Sequence, residues 1–123
     1  MFVVADTTPL NYLILIEQIE LLPALYERVV IPHAVLVELH HARTPYLVRV
    51  WASDLPGWCV IRKPASVPDA RLNLLDAGER YAIQLALDMG FDTLFMDEMK
   101  GRREAQRRSL RMVGTLSIVE DAA

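Results

Sequence analysis

Phe2-Val3-Val4-Ala5-Asp6-Thr7-Thr8-Pro9-Leu10 is the stretch on which the fold turns. Its first four residues are too few for a helix, and unbroken apolarity marks a strand buried at the start of the chain. The run stops on an acid, Asp6, at the C-terminal end of the strand. Thr8-Pro9 then starts a helix: a Thr side chain can accept from free N–H groups, and Pro at the first helical position lacks the donor that would go unpaired. That helix is expected to cover Leu10 to Ile16.

The alternation continues outward. Glu20 to Tyr26 reads as a second short helix, Arg28 to Ile31 as a β-branched strand, and Pro32 opens a helix through about His41. Thr44 to Leu55 has the spacing of an amphipathic helix closed by Pro56-Gly57, followed by a strand over Trp58 to Ile61 and a Pro- and Ser-bearing loop at 63–69. Asp76 to Met89 predicts a helix ended by Gly90, and Thr93-Leu94-Phe95-Met96 a strand running into Asp97-Glu98. A basic helix over about Met99 to Ser109, a strand at Arg111 to Val113 and a turn or helix at Leu116 to Val119 complete the reading. Helices alternating with short apolar strands predict a three-layer α/β/α sandwich around a mostly parallel sheet, in a single domain spanning 1–123. Ligands in such sheets bind beyond the C-terminal strand ends, where Asp6 and Asp97 stand.

Composition narrows the function classes. With 123 residues and 53% hydrophobic content the chain can bury a real core, and its apolar runs are broken too early to span a bilayer, so a soluble, cytoplasmic protein is expected. The single cysteine, Cys59, excludes an intrachain disulfide and a thiolate metal cluster. A formal net charge of −3 argues against holding nucleic acid by bulk positive potential. The average hides a basic stripe: Lys100, Arg102, Arg103, Arg107, Arg108 and Arg111 stand against one acid, Glu104. Such a run serves either as a solvated helix face or as a phosphate-binding edge beside an acidic pocket.

The placement of four acids points to chemistry. Glu38 follows Ala34 and Val35 on one helical face, and Glu79 leads the face of Ala82, Ile83 and Ala86, so both are expected to point inward. Inward acids need cations, donors or a metal, and a divalent cation relieves the repulsion among Asp6, Glu38, Glu79 and Asp97. An all-oxygen set suits Mg²⁺ or Mn²⁺, which can activate water and stabilise charge on a phosphodiester. Structural roles compete. Asp6 could cap the next helix, Asp76-Ala77-Gly78-Glu79 resembles a capping box that suits Asp76 better than Glu79, and Thr8 is a cap whose hydroxyl would also face the pocket. His33, His40 and His41 receive no role, because a His pair at a helix end interacts favourably with the helix C-terminus. Trp51, Trp58 and Tyr46 are expected in the core or a dimer contact. No Ser-His-Asp order, Gly-rich phosphate loop or Cys/His zinc spacing is present.

VVADTTPLNYL at the start, VVIPHAVLVEL with Glu38, LDAGERYAIQLAL with Glu79, TLFMDEMKGRREAQ with Asp97 and then MVGTL together resemble the PIN-domain family, in particular its branch of VapC-type toxin endoribonucleases. The resemblance implies RNA hydrolysis by Mg²⁺ or Mn²⁺ held on Asp6, Glu38, Glu79 and Asp97, with Thr8 and Glu98 as accessory residues. It also implies a homodimer and a cognate antitoxin. Lys100, Arg102 and Arg103 are the candidate RNA contacts. The alternative is a PIN-fold interaction module without catalysis, motivated by the short C-terminus; a receiver-type signalling domain is disfavoured, since it leaves Glu38 and Glu79 without purpose.

Overall fold

A computed structural model describes residues 2–122 apart from positions 69, 74, 92 and 98, with the backbone alone at 99, 100 and 122. Its sheet contains β1 (Phe2–Ala5), β2 (Arg28–Pro32), β3 (Cys59–Arg62), β4 (Thr93–Phe95) and β5 (Arg111–Val113). They lie in the order β3-β2-β1-β4-β5, and every pairing is parallel. The chain steps outward from β1 through β2 to β3, then returns to the other side of β1 for β4. Order therefore reverses between β1 and β4, which is where a parallel sheet opens a ligand crevice at its C-terminal edge. Val4 pairs with Leu94 and Ala5 with Phe95, and the Asp6 N–H donates to the Phe95 carbonyl at 2.9 Å. The first candidate acid is thus pinned at the switch point by the sheet itself.

Strand pleating sorts the apolar side chains onto two cores. Val3, Ala5, Val29, Ile31, Phe95 and Val113 face a layer made by α1 (Thr7–Leu15), α2 (Leu21–Leu25), α3 (His33–Leu39), α4 (Tyr46–Ser53) and α7 (Thr115–Ala122). Val4, Val30 and Leu94 face the other layer, formed by α5 (Ala77–Met89), α6 (Met99–Arg107) and a short 3-10 turn at Ala70–Leu72. Both faces of the sheet are covered, which is why its strands read as continuous apolar runs rather than as alternating ones. Each fully buried Val, Leu or Ile contributes about 1.5–3 kcal/mol through area removed from water.

Local differences from the sequence reading have physical causes. Asp6, extended at φ −89° and ψ 170°, is the N-cap of α1, so helix begins at Thr7. Thr8 lies inside the first turn and is not the cap; Pro9 follows it there, where the first four N–H groups lack partners in any helix. Pro45 sets the start of α4 at Tyr46, later than Thr44. The 3-10 turn was not legible because a single Leu72, fully buried, anchors it. Gly90 closes α5 in the left-handed region at φ 71°, a conformation that costs an L side chain energy. Residues 115–122 form a whole helix, with Ile118 fully buried against the first core. Trp51 and Trp58 pack against that core with their rings tilted by 44° and centroids 6.2 Å apart, whereas Tyr46 is 70% exposed. Among the described residues no helix is long and apolar enough to cross a membrane.

Candidate active site

Asp6 is 2% exposed, and its Oδ1 is buried without a hydrogen-bond partner. Burial raises its pKa well above the ordinary carboxylate value; a hydrogen bond from the Thr7 backbone opposes this, and the charges of Asp76, Glu79 and Glu38 reinforce it. A carboxylate kept dry, short of donors and surrounded by other acids must either hold a proton or meet a cation.

Glu38 sits in the last turn of α3, brought inward by the buried Val35 and Leu39 on either side of it. Thr7 Oγ1 donates to its Oε2 at 2.5 Å, and the Gly78 N–H at the start of α5 donates to Oε1 at 3.0 Å. The Glu38 carbonyl in turn accepts from Thr44 Oγ1 at 2.7 Å. Glu38 therefore ties α1, α3 and α5 together around one carboxylate, with a helix N-terminus favouring its negative charge. A Cβ placed on Gly78 would stand 2.8 Å from Asp6 Oδ1 and 2.9 Å from Glu38 Oε1. The two acids flank the same point, and only a residue without a side chain leaves room there.

Glu79 performs two tasks. Its backbone N–H donates to Asp76 Oδ1 at 2.9 Å while its Oε1 accepts from the Asp76 N–H at 3.1 Å, a complete capping box. The box involves Glu79 as fully as Asp76, contrary to the sequence reading, which assigned it mainly to Asp76. Glu79 is nevertheless 5% exposed, and its Oε2 faces the first turn of α6, 3.2 Å from the position a Cβ would take on Gly101. Sequence rules detected the box but not that the same side chain can serve on both sides.

Asp97, two residues beyond β4, is held differently. Its Oδ1 accepts from the Thr115 N–H at 2.9 Å and its Oδ2 from Thr115 Oγ1 at 2.6 Å, which anchors the start of α7. Gly114 lies against it: a Cβ there would stand 2.8 Å from Asp97 Oδ1 and 3.9 Å from Arg102 Nη1. The structure thus brings Asp6, Glu38 and Glu79 into one electrostatic group, joined by Asp76, and sets Asp97 on the α7 side of the crevice. Among the described residues no three His, Cys, Asp or Glu side chains form a ready-made chelate. The donor set still fits a hard divalent cation: it is all oxygen, it includes the orphaned Asp6 Oδ1, and a glycine keeps open the space between two of its members.

The accessory residues divide. Thr7, not Thr8, carries the hydroxyl that bonds an acid of the site. The register was off by one because the helix starts on the residue after Asp6. Glu98 and the Lys100 side chain lie outside the described residues. Arg102 reaches the Gly114–Asp97 corner, and Arg103 is exposed on the same helix. Further along, the basic stripe is partly neutralised, since Arg107 and Arg108 both pair with Glu104 at 2.8 and 2.6 Å. Three glycines and two threonines were missed by sequence reasoning: Gly78, Gly101 and Gly114, each against an acid, and Thr7 and Thr115. The sequence carried a signal for Gly78 alone, which sits beside Glu79 at a helix start where no turn requires it; Gly101 and Gly114 meet their acids only in space.

Comparison with known proteins bears on both the family and the fold. A family profile described as PIN domain matches residues 2–123. Among solved structures, the chain is similar to a PilT N-terminus domain protein from the hyperthermophilic archaeon Sulfolobus solfataricus P2, with a TM-score of 0.69 at 13% identity over 99% of this chain and 93% of that one. No curated protein matches.

Proposed function

Since the chain belongs to the PIN-domain family, whose members are generally nucleases, we propose that it is a metal-dependent endoribonuclease working in the cytoplasm on RNA phosphodiester bonds. The observation that carries this reading is Asp6 Oδ1, buried and without a partner, facing Glu38 across Gly78 at the point where the strand order reverses. Asp6, Glu38, Glu79 and Asp97 would hold Mg²⁺ or Mn²⁺. Such a cation supplies a water of lowered pKa and stabilises charge building on the phosphate. The chain's own residues prepare for it. Thr7 and the Gly78 N–H hold Glu38 oriented, the capping box fixes Glu79, and Thr115 fixes Asp97. Arg102, beside Asp97, is placed to meet a phosphate oxygen.

The same reading makes the protein the toxin of a toxin–antitoxin pair, acting as a homodimer. Supporting it, Tyr12 and Leu15 on α1, Ile16 just after it, and Tyr46, Leu47 and Val50 on the adjoining α4 are exposed apolar side chains. Large apolar side chains gathered on neighbouring helices mark surfaces that partners cover.

The test is hydrolysis of a fluorescent RNA by the purified chain, free of any antitoxin, with Mg²⁺ or Mn²⁺, alongside Mn²⁺ calorimetry. The proposal expects cleavage, and expects Asp6→Asn and Asp97→Asn to abolish it and weaken Mn²⁺ binding. No cleavage by the wild type, with metal binding unchanged in both variants, contradicts it and favours the non-catalytic interaction module.

A further inference from the structure

A cleft of about 320 Å³ opens beside the acids, lined by Thr7, Asn11, Glu38, His41, Arg43 and Thr44. Glu38 belongs to both: it flanks Asp6 on one side and walls this cleft on the other. The segment that follows α3 is fixed rather than draped. The Thr44 hydroxyl donates to the Glu38 carbonyl at 2.7 Å, Arg49 Nε donates to the Thr44 carbonyl at 3.1 Å, and the Thr44 N–H donates to the His41 carbonyl at 3.0 Å. The Arg43 N–H donates to His41 Nδ1 at 3.0 Å, so the ring proton is on Nε2, which remains a donor. Unlike Arg107 and Arg108, whose guanidiniums rest on Glu104, Arg43 pairs with no carboxylate among the described residues. Asn11, in the same lining, has its Oδ1 buried without a hydrogen-bond partner. An exposed cation that pairs with no carboxylate among the described residues, an imidazole held by the Arg43 backbone and an orphaned acceptor line one cleft, a set complementary to a phosphate joined to a ribose.

We infer that this cleft is the subsite for the ribonucleotide next to the scissile bond, with Arg43 and His41 on its phosphate and Asn11 accepting from its ribose 2′-hydroxyl. The inference rests on the nuclease reading for the identity of the ligand, but not on cleavage. The 2′-hydroxyl is the group by which a protein tells RNA from DNA, and Asn11 Oδ1 is the acceptor placed for it. An acidic chain that must draw in a polyanion also needs a cation beside its acids, and Arg43 supplies one at Glu38.

The test is fluorescence anisotropy of a labelled 12-nucleotide oligouridylate in EDTA, where nothing is cut, across a salt series. Arg43→Ala is expected to weaken binding about five-fold at 0.1 M salt and to flatten the salt slope by about 0.7, the value of one phosphate contact on a single strand. Arg43→Lys keeps the slope, and His41→Ala weakens binding without changing it. Asn11→Ala lowers affinity for the RNA but not for the deoxy oligomer of the same sequence. Arg28→Ala, at the opposite strand ends, serves as control and leaves binding unchanged. Wild-type affinity and slope in Arg43→Ala, or an equal loss on RNA and DNA in Asn11→Ala, overturns the inference, as does a wild type that binds no RNA. Weakened binding in Arg43→Ala from a protein that cuts no RNA with Mn²⁺ supports the subsite and removes the nuclease reading. Cleavage by wild type with unaltered binding in all three cleft variants does the reverse.

Discussion

Replacing Gly78 by Ala adds one methyl group between the two best-defined acids. The new Cβ stands 2.8 Å from Asp6 Oδ1 and 2.9 and 3.2 Å from the two oxygens of Glu38, where ordinary contact begins at 3.4 Å. Relief requires the carboxylates to retreat by about half an ångström each, on the scale at which displaced catalytic groups lose about ten- to a hundred-fold in rate. Retreat is also obstructed. Asp6 is packed into the sheet edge, and Glu38 is held by Thr7 and by the Gly78 N–H itself. Stability moves little, because Ala in a helix gains about 0.8–1 kcal/mol over Gly and offsets part of the crowding. The expected result of Gly78→Ala is a folded protein whose Mn²⁺ affinity in calorimetry falls at least about ten-fold, with RNA hydrolysis falling about ten- to a hundred-fold. A Gly78→Ala protein that binds Mn²⁺ and cuts RNA like the wild type refutes the view that the acids converge at this point.

Other outcomes follow from the same geometry. Asp6→Asn replaces a carboxyl that must take up a proton on folding by an amide that need not, so in EDTA at neutral pH it raises the melting temperature, at about 3–5 °C per kcal/mol for a chain of this size, while abolishing the further rise that Mn²⁺ gives the wild type. Because the Asp6 pKa is raised above 3.8, the folded metal-free chain keeps a proton that the unfolded chain has released. Its contribution is therefore complete below the ordinary carboxylate range and is lost as pH rises towards the raised value, a slope that urea titrations in EDTA detect and saturating Mn²⁺ flattens. Thr7→Val, which removes the donor to Glu38 Oε2, costs about 1.5–3 kcal/mol and lowers hydrolysis, whereas Thr8→Val leaves hydrolysis near wild type; equal losses in the two contradict the assignment of the hydroxyl.

How far the sequence carries the argument depends on the range of each interaction. The sheet was legible because five short apolar runs between helices admit few arrangements, and β5 matches its predicted bounds of Arg111 to Val113. Asp6 was legible because a strand and a helix abut there, and Glu79 because its capping box is a local pattern. Contacts made across the chain were not. The bond from Thr7 to Glu38 spans 31 positions and that from Gly78 to Glu38 spans 40, so no window of sequence contains either. Asp97 was legible as a strand-end acid, but its engagement by Thr115, 18 positions on, was not. His41 was read from its helix-end position alone, and its place beside Glu38 depends on how the following segment folds back.

The most direct measurement is cleavage of a labelled RNA by the purified chain as Mn²⁺ is titrated, with wild type and Asp6→Asn run side by side. The account predicts hydrolysis by the wild type that saturates with Mn²⁺, vanishes in EDTA and is lost in Asp6→Asn. Cleavage that persists in EDTA or in Asp6→Asn, or a wild type inert at every Mn²⁺ concentration, contradicts it.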